Sequence, residues 1–225
     1  MTPAPFTYSS LETFINCPKQ FYHKYVLKDV KDEPGEAQIY GTTVHAHFEN
    51  YVNSVGEYKL PNDLLSHKPR LDQMLSRPGE FMCEQKVAFD KTLKNCDYHD
   101  PNRLWRGNID FRLVNREEGF AHLVDYKTGK QRIKWPQLAL YAIQTFAEYP
   151  EVNIVNAQFY WTQLGETTKR VWGRAEVGDL WLMFVGDLKQ YVQAFKTDTW
   201  QMRPSGLCRG WCPVKTCQHW SPQRT

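Results

Sequence analysis

The chain has 225 residues, of which 41% are hydrophobic, so it can bury a substantial core as one large domain or two small ones. Its net charge of +3 permits a local basic groove but does not predict one. No apolar run is long enough to span a membrane and no signal peptide is present, so we expect a cytoplasmic protein without membrane contact. In that reducing compartment its six cysteines should be thiols or metal ligands rather than disulfides.

Residues 9–55 are predicted to be mainly helical. Ser9 and Glu12 have the spacing of a capping box, with Ser9 as the N-cap of a first short helix. Pro18 suits the first turn of a second helix, which places Cys17 at the junction between the two. Taken alone, Cys17 is most simply a buried cysteine.

A further helix is predicted after a charged loop at residues 29–40. His45 shares a helix face with Phe48 and Val52, so it is preferred to His47 as a functional histidine. A histidine in such a position is more often part of a core or a surface than a metal ligand, and the pattern alone does not decide between them.

Two predicted strands each carry a carboxylate. Residues 81–89 alternate between two faces and include Glu84, which is most simply an ordinary exposed glutamate. In the next strand, Asp110 points away from the face shared by Trp105, Gly107, Ile109, Phe111 and Leu113.

The stretch from Leu123 to Lys130 is predicted to be a strand that ends in a glycine turn. Asp125 and Lys127 share a face at the end of a largely apolar strand, where charges are costly unless they have a function, although such pairs also occur as solvated ion pairs. Residues 115–119 predict a hairpin connection, so antiparallel pairing would bring Asp110 close to Asp125. Two carboxylates are hard oxygen ligands suited to magnesium or manganese.

A helix is predicted to begin at Pro136, because proline suits a first helical turn. Gln137 and Tyr141 are four residues apart and therefore share a face. They could contact a phosphate or orient Lys127, and they could equally be part of a half-buried amphipathic face.

The remaining elements complete a predicted catalytic sheet and helix over residues 80–175. Two more strands are expected at residues 154–162 and 169–175. A last helix is expected at residues 177–197, capped by Asp179.

A cysteine-rich tail is predicted at residues 200–225. Cys208, Cys212 and Cys217 follow a C-x3-C-x4-C pattern, which in a reducing compartment indicates a zinc or iron–sulfur site. Such a site requires a fourth ligand, which could be the nearby His219 or the distant Cys17.

Taken together, these motifs resemble the RecB-like branch of the PD-(D/E)XK nuclease superfamily over nearly the whole chain. Each motif is weak alone, but five stand in the family order. They are Cys17-Pro18 with Phe21 and Tyr22, Gly41 with His45, the Gly-x-Ile-Asp strand ending at Asp110, Asp125-Tyr126-Lys127-Thr128-Gly129, and Gln137 with Tyr141.

The resemblance implies an α/β fold with a restriction-endonuclease-like core, in which helices flank a mixed central sheet, and a single nuclease domain over residues 1–225. It implies that His45, Asp110, Asp125 and the carbonyl of Tyr126 ligate Mg²⁺ or Mn²⁺. It further implies that Lys127 orients the attacking water. Positioning roles fall to Gln137 and Tyr141, with Glu84 as a secondary catalytic candidate.

Several similar proteins, including the CRISPR-associated RecB-like exonucleases and AddB, hold a 4Fe-4S cluster with one N-terminal and three C-terminal cysteines. The resemblance would assign Cys17, Cys208, Cys212 and Cys217 to such a cluster. The usual tail in the family is C-x2-C-x5-C, so the middle cysteine here is displaced by one residue and zinc stays open as the alternative.

The function implied by the resemblance is a metal-dependent exonuclease acting on single-stranded DNA ends in recombination, repair or replication. Stand-alone enzymes of this kind include those of phage modules, where partner proteins for recombination or replication are expected. The chain has no phosphate-binding loop of the Gly-x4-Gly-Lys-Ser/Thr type, so helicase activity is not expected. The alternatives are a structure-specific endonuclease and a non-catalytic DNA-binding or assembly module.

Overall fold

A computed structural model describes residues 1–222 and divides the chain into two compact units. The sheet unit is Pro34–Met183, and the terminal unit is Met1–Glu33 together with Phe184–Thr225. The last three residues of the predicted cysteine-rich tail, 223–225, lie outside the described residues. The predicted single nuclease domain stays a prediction. No helix among residues 1–222 is both long and apolar enough to cross a membrane.

The sheet unit contains a six-stranded mixed sheet. Its strands are β1 (Glu80–Asp90), β2 (Asn95–Cys96), β3 (Arg103–Asn115), β4 (Phe120–Lys127), β5 (Ile154–Trp161) and β6 (Glu166–Gly173). The order across the sheet is β2-β1-β3-β4-β5-β6, and only the β4–β5 pair is parallel. This architecture confirms the predicted mixed sheet.

Three α-helices flank the sheet: α3 (Glu36–Asn53), α4 (Lys68–Leu75) and α5 (Trp135–Glu148). The helix α5 is the crossover that a parallel pair requires between β4 and β5. The helix α3 begins at Glu36 with Gly35 at its N-cap, so the predicted charged loop extends too far at its end. A glutamate in the first turn is favourable for a helix and marks the earlier start.

The core of the sheet unit lies where α3 and α4 cover one face of the sheet. Its largest cluster comprises Val44, Phe48, Tyr51, Val52, Leu60, Leu64, Leu71, Met74, Phe111, Leu113, Val124, Tyr126 and Tyr160. Each fully buried large apolar side chain contributes about 1.5–3 kcal/mol, so this cluster holds α3 firmly against β3 and β4.

On the other side, the buried Arg112 of β3 links the sheet to α5. Its guanidinium donates to Gln144 at 2.8 Å and pairs with Glu148 at 2.6 Å. A buried charge needs such partners, and the contacts fix the position of α5 on the sheet.

The alternation predicted for β3 does not continue along the whole strand. Phe111 packs with α3 and α4, whereas Trp105 stacks on Phe89 and contacts Tyr141 of α5. The predicted single face from Trp105 to Leu113 is therefore wrong. The change occurs beside Glu84, which has a left-handed φ of 45° and lies between the paired residues that flank Asp110 in the β1–β3 register. The side chains of β1 and β3 therefore change faces at the same point along the sheet.

The terminal unit begins with α1 (Tyr8–Asn16) and α2 (Pro18–Phe21). Pro18 is the first residue of α2 and Cys17 is its N-cap, as predicted. The predicted N-cap at Ser9 is wrong, because Thr7 caps α1 and its side chain accepts a hydrogen bond from the Ser10 amide. The capping pattern lies two residues earlier, where Thr7 and Ser10 exchange the two bonds.

The helix α6 (Val177–Thr197) contains the boundary between the two units. Asp179 lies in its first turn rather than at the predicted cap position. In the terminal unit, the C-terminal part of α6 packs against the first helices through an aromatic cluster. The members of this cluster are Phe14, Phe21, Tyr191, Phe195 and Trp200.

Candidate active site

Two carboxylates meet at the point where β3 and β4 stop pairing. The register places Phe111 opposite Val124, so Asp110 and Asp125 are the next opposed positions, as the predicted hairpin requires. Both side chains are buried. The backbone amide of Tyr126 donates to Asp110 Oδ2 at 2.7 Å, which fixes the position of that carboxylate.

His45, Glu84 and Asp110 form a group whose ligand atoms all lie within 4.8 Å of one another. His45 Nδ1 is 3.5 Å from both Glu84 Oε1 and Asp110 Oδ2, and its Nε2 is 3.1 Å from the carbonyl oxygen of Tyr126. One imidazole nitrogen and several oxygens are a donor set that suits Mg²⁺ or Mn²⁺. The secondary candidate Glu84 thus lies in the group, and the Tyr126 carbonyl contacts His45 at the other ring nitrogen. The predicted role of that carbonyl as a metal ligand stays a prediction.

The electrostatics of this group indicate a site with excess negative charge. Burial lowers the pKa of His45, but the hydrogen bond to Glu84 and the charges of Asp110 and Asp125 outweigh it and raise the value to about 9. Burial and the neighbouring Asp125 raise the pKa of Asp110 above its usual range. Protons bind tightly where a cation is favourable, so these residues fit a divalent metal.

Asp125 makes different contacts from those of Asp110. Its Oδ2 lies 2.5 Å from Lys127 Nζ, and its Oδ1 accepts a hydrogen bond from Gln137 at 2.7 Å. The structure thus places Asp125 opposite Asp110 but joins it to Lys127 and Gln137. Its predicted role as a direct metal ligand stays a prediction.

Gln137 connects Asp125, Lys127 and Tyr141 from the first turn of α5, immediately after Pro136. Its Oε1 accepts from Lys127 Nζ at 3.2 Å, while its Nε2 is 3.2 Å from the Tyr141 hydroxyl. Burial raises the pKa of Tyr141 well above its usual range, so that hydroxyl stays protonated. Gln137 can therefore hold the Asp125 carboxylate and the Lys127 ammonium in place. Its contact with the Tyr141 hydroxyl fixes the orientation of the Gln137 side-chain amide.

The approach of α3 to the end of β4 depends on Gly41. A Cβ atom at this position would lie 2.9 Å from Thr128 Oγ1, closer than such atoms come without a shift. The glycine therefore allows the turn of α3 that precedes His45 to lie directly against the residue after Lys127.

An open groove of about 690 Å³ leads to the metal-ligand group. It is lined by Ala37, Gln38, Gly41, Thr42, His45, Ala46, Glu49, Glu84, Lys86, Asn108 and Thr128. The sequence interpretation missed Asn108, whose amide donates to Glu84 Oε2, and Lys86. Both residues lie two positions beyond the distortion at Glu84, so simple alternation along the strands gave no signal for them.

The four cysteines assigned by resemblance lie together in the terminal unit. Cys17, Cys208, Cys212 and Cys217 line one small pocket, which His219 also borders. Burial raises the pKa of the Cys212 thiol, and the other three thiols raise it further.

Comparison with known proteins agrees with this geometry. Residues 5–217 match the family model of the PD-(D/E)XK nuclease superfamily. No curated protein matches the chain. A candidate exonuclease from Eubacterium rectale has a similar fold, with a TM-score of 0.55 and 12% identity over 95% of this chain and 86% of its own.

A second solved structure, SSO0001, has a TM-score of 0.47 and 10% identity over 96% of this chain and 86% of its own. The family match spans both the His45 helix and the last cysteine of the tail. With that match, the mixed sheet and the acidic group beside Lys127, the chain belongs to the PD-(D/E)XK nuclease superfamily.

Proposed function

We propose that this nuclease is a Mg²⁺- or Mn²⁺-dependent exonuclease of the RecB-like branch that hydrolyses single-stranded DNA from its ends. The observation that carries the proposal is the group of His45, Glu84 and Asp110 beside the Asp125–Lys127 pair. The name of the Eubacterium rectale structure supports an exonuclease rather than another nuclease type.

His45, Glu84 and Asp110 would hold the metal, with the Tyr126 carbonyl and Asp125 as further candidates. When bound, a divalent metal polarises the scissile phosphate and lowers the pKa of a bound water. The Lys127 ammonium orients the attacking water and offsets the negative charge that develops on the phosphate.

Asp125 and Gln137 keep the Lys127 ammonium in place. The ion pair at 2.5 Å holds the charge, and the amide of Gln137 contacts both partners. A positively charged group fixed in advance stabilises developing charge without reorganising during the reaction.

End-labelled linear and circular single-stranded DNA, each with Mg²⁺ or Mn²⁺, test this function. We expect loss of the linear strand only, abolished in Asp125→Ala and retained in Glu57→Ala, an exposed carboxylate outside the groove. Cleavage of circles would support the endonuclease alternative. Binding without any cleavage would support the non-catalytic module, and either result would overturn the exonuclease proposal.

We also propose that Cys17, Cys208, Cys212 and Cys217 hold a 4Fe-4S cluster with a structural role. The four thiols line one pocket, which supports a site with four cysteine ligands. The resemblance to cluster-binding proteins favours iron–sulfur, and zinc is the alternative. His219 would be the alternative fourth ligand.

Anaerobic purification tests the cluster. A brown protein containing about four iron atoms and four sulfides per chain is expected, with iron lost in Cys17→Ser. A colourless protein with one zinc per chain would overturn it. Retention of the full iron content in Cys17→Ser but not in His219→Ala would replace Cys17 by His219.

A further inference from the structure

Two cations of the sheet unit lie close to one another beside the metal-ligand group. Lys86 Nζ lies 5.9 Å, and the guanidinium carbon of Arg106 5.1 Å, from the centre of the Tyr98 ring. Lys86 pairs with Asn108, and Arg106 pairs with Ala88, so the two cations come from neighbouring positions of β1 and β3. Both are available to solvent, since Lys86 is exposed and Arg106 is half-buried.

These two cations lack a compensating carboxylate. Among residues 1–222, neither lies within 4.0 Å of an acidic oxygen. Two like charges held beside one ring repel each other, and the ring face offsets only about 0.5–1 kcal/mol for each exposed cation. An external anion that contacts both would remove this repulsion.

The position of Lys86 and Arg106 near the metal-ligand group indicates which external anion they would bind. Lys86 lines the same groove as His45 and Glu84, the residues that would hold the catalytic metal. The groove also carries Glu49 and the neutral polar side chains of Gln38, Asn108 and Thr128, and these neutral groups suit phosphate and sugar oxygens. A chain of phosphates along the groove would thus meet the metal site and then Lys86, with Arg106 at the same tyrosine ring just outside the groove.

We propose that Lys86 and Arg106 bind successive backbone phosphates of the substrate strand next to the scissile phosphate, with Tyr98 holding both cations in place. This inference rests on the proposed nuclease function. Contacts of this kind carry no base information, so the binding is independent of sequence. The strand therefore lies along the β1–β3 side of the metal site.

The test measures binding of a labelled, nuclease-resistant phosphorothioate strand by fluorescence anisotropy at several salt concentrations with Mg²⁺. The double variant Lys86→Gln/Arg106→Gln is compared with Lys59→Gln/Lys91→Gln, which removes two exposed lysines outside the groove. Each lost single-strand phosphate contact reduces the salt slope by about 0.7, so the groove variant should lose about 1.4 and bind at least about tenfold more weakly.

In cleavage assays the groove variant should show an increase in KM larger than its decrease in kcat. The charge-conserving variant Lys86→Arg should keep the DNA affinity of the wild type. Lys86→Gln alone gives half the change in slope and avoids altering the half-buried Arg106. An unchanged slope in the groove variant, or an equal loss in the control variant, would overturn the inference while leaving the nuclease function intact. A wild-type protein that neither binds nor cleaves DNA would instead overturn the proposed function, and this inference with it.

Discussion

In the sheet unit, one helix and two paired strands bring His45, Glu84 and Asp110 together, whereas in the terminal unit Cys17 meets three cysteines from the far end of the chain. The first group is held by elements that the hydrophobic core already fixes, and its carboxylates repel each other. Three members of the second group lie in a short tail with little regular structure, in which, up to residue 222, only Gly206–Cys208 forms a helical turn.

The difference suggests opposite relations between function and stability. Removing a charge from the acidic group should harm chemistry and relieve the fold, because the core does not depend on those carboxylates. Removing a thiol from the cysteine group should harm the fold first, because the proposed cluster would join the tail to Cys17 near the other end of the chain. Four experiments test this contrast, from the largest expected effect to the smallest.

Asp110→Asn should reduce the cleavage rate by about 10³-fold without lowering the melting temperature. Asparagine keeps an oxygen that can accept from the Tyr126 amide, while the repulsion with Asp125 and Glu84 disappears. Thermal melting and single-turnover cleavage measure the two effects. A melting temperature several degrees below wild type would show that the buried carboxylate supports the fold.

Cys17→Ser should destabilise the protein, by about 4 kcal/mol if the closed loop acts as in a disulfide. For a chain of this size the melting temperature would fall by about 8–16 °C. The matched control is Cys96→Ser, which removes a thiol from β2, outside the cysteine pocket. Equal melting temperatures of the Cys17→Ser and Cys96→Ser variants would contradict a structural role for the cysteine group.

The metal-free protein should lose stability as the pH rises from about 6 to about 9. The pKa of His45 is raised to about 9 and that of Asp110 is also raised, so the folded state binds protons more tightly than the unfolded state. The stability contributed by protonated His45 is complete below its ordinary pKa of 6.5 and is lost as the pH passes about 9.

The melting temperature measured in the presence of a chelator should therefore fall by about 5 °C between about pH 6 and about pH 9. Added Mg²⁺ should recover most of the loss at the upper end, because the cation replaces the proton. In Asp110→Asn the slope should be flatter. A melting temperature that does not change with pH in chelator would contradict the raised pKa values.

Tyr141→Phe should have the smallest effect, a decrease in kcat of about threefold. Its hydroxyl contacts the amide of Gln137 rather than the Asp125–Lys127 pair, so it acts one step away from the charges. Gln137→Leu, which removes the contacts to both charged groups, is the reference and should lose more. An equal loss in the two variants would place the tyrosine hydroxyl in contact with the substrate.

Much of the acidic group was predictable because its signals are local. Alternation in β4 and the short hairpin connection were enough to bring Asp110 and Asp125 together, since strand pairing continues in register. The helical spacing of His45 with Phe48 identified the face of α3 that meets the sheet.

The change of faces in β3 was not predictable from those patterns. It depends on a left-handed backbone at Glu84, a residue type for which nothing in the sequence indicates a positive φ. The same distortion brings Glu84 to His45 and Asn108, and it turns Lys86 toward the groove. Contacts that arise from a bend in two strands require the tertiary structure.

The sequence distances within the two groups also differ, and they set an order in which each can form. The contact between His45 and the Tyr126 carbonyl joins residues 81 apart, whereas the bond from Arg203 to the Ile15 carbonyl near Cys17 joins residues 188 apart. Closing the longer loop costs about 0.7 kcal/mol more chain entropy. During folding, the acidic group can assemble once α3 packs on the sheet, and the cysteine group forms only when the two ends of the chain meet.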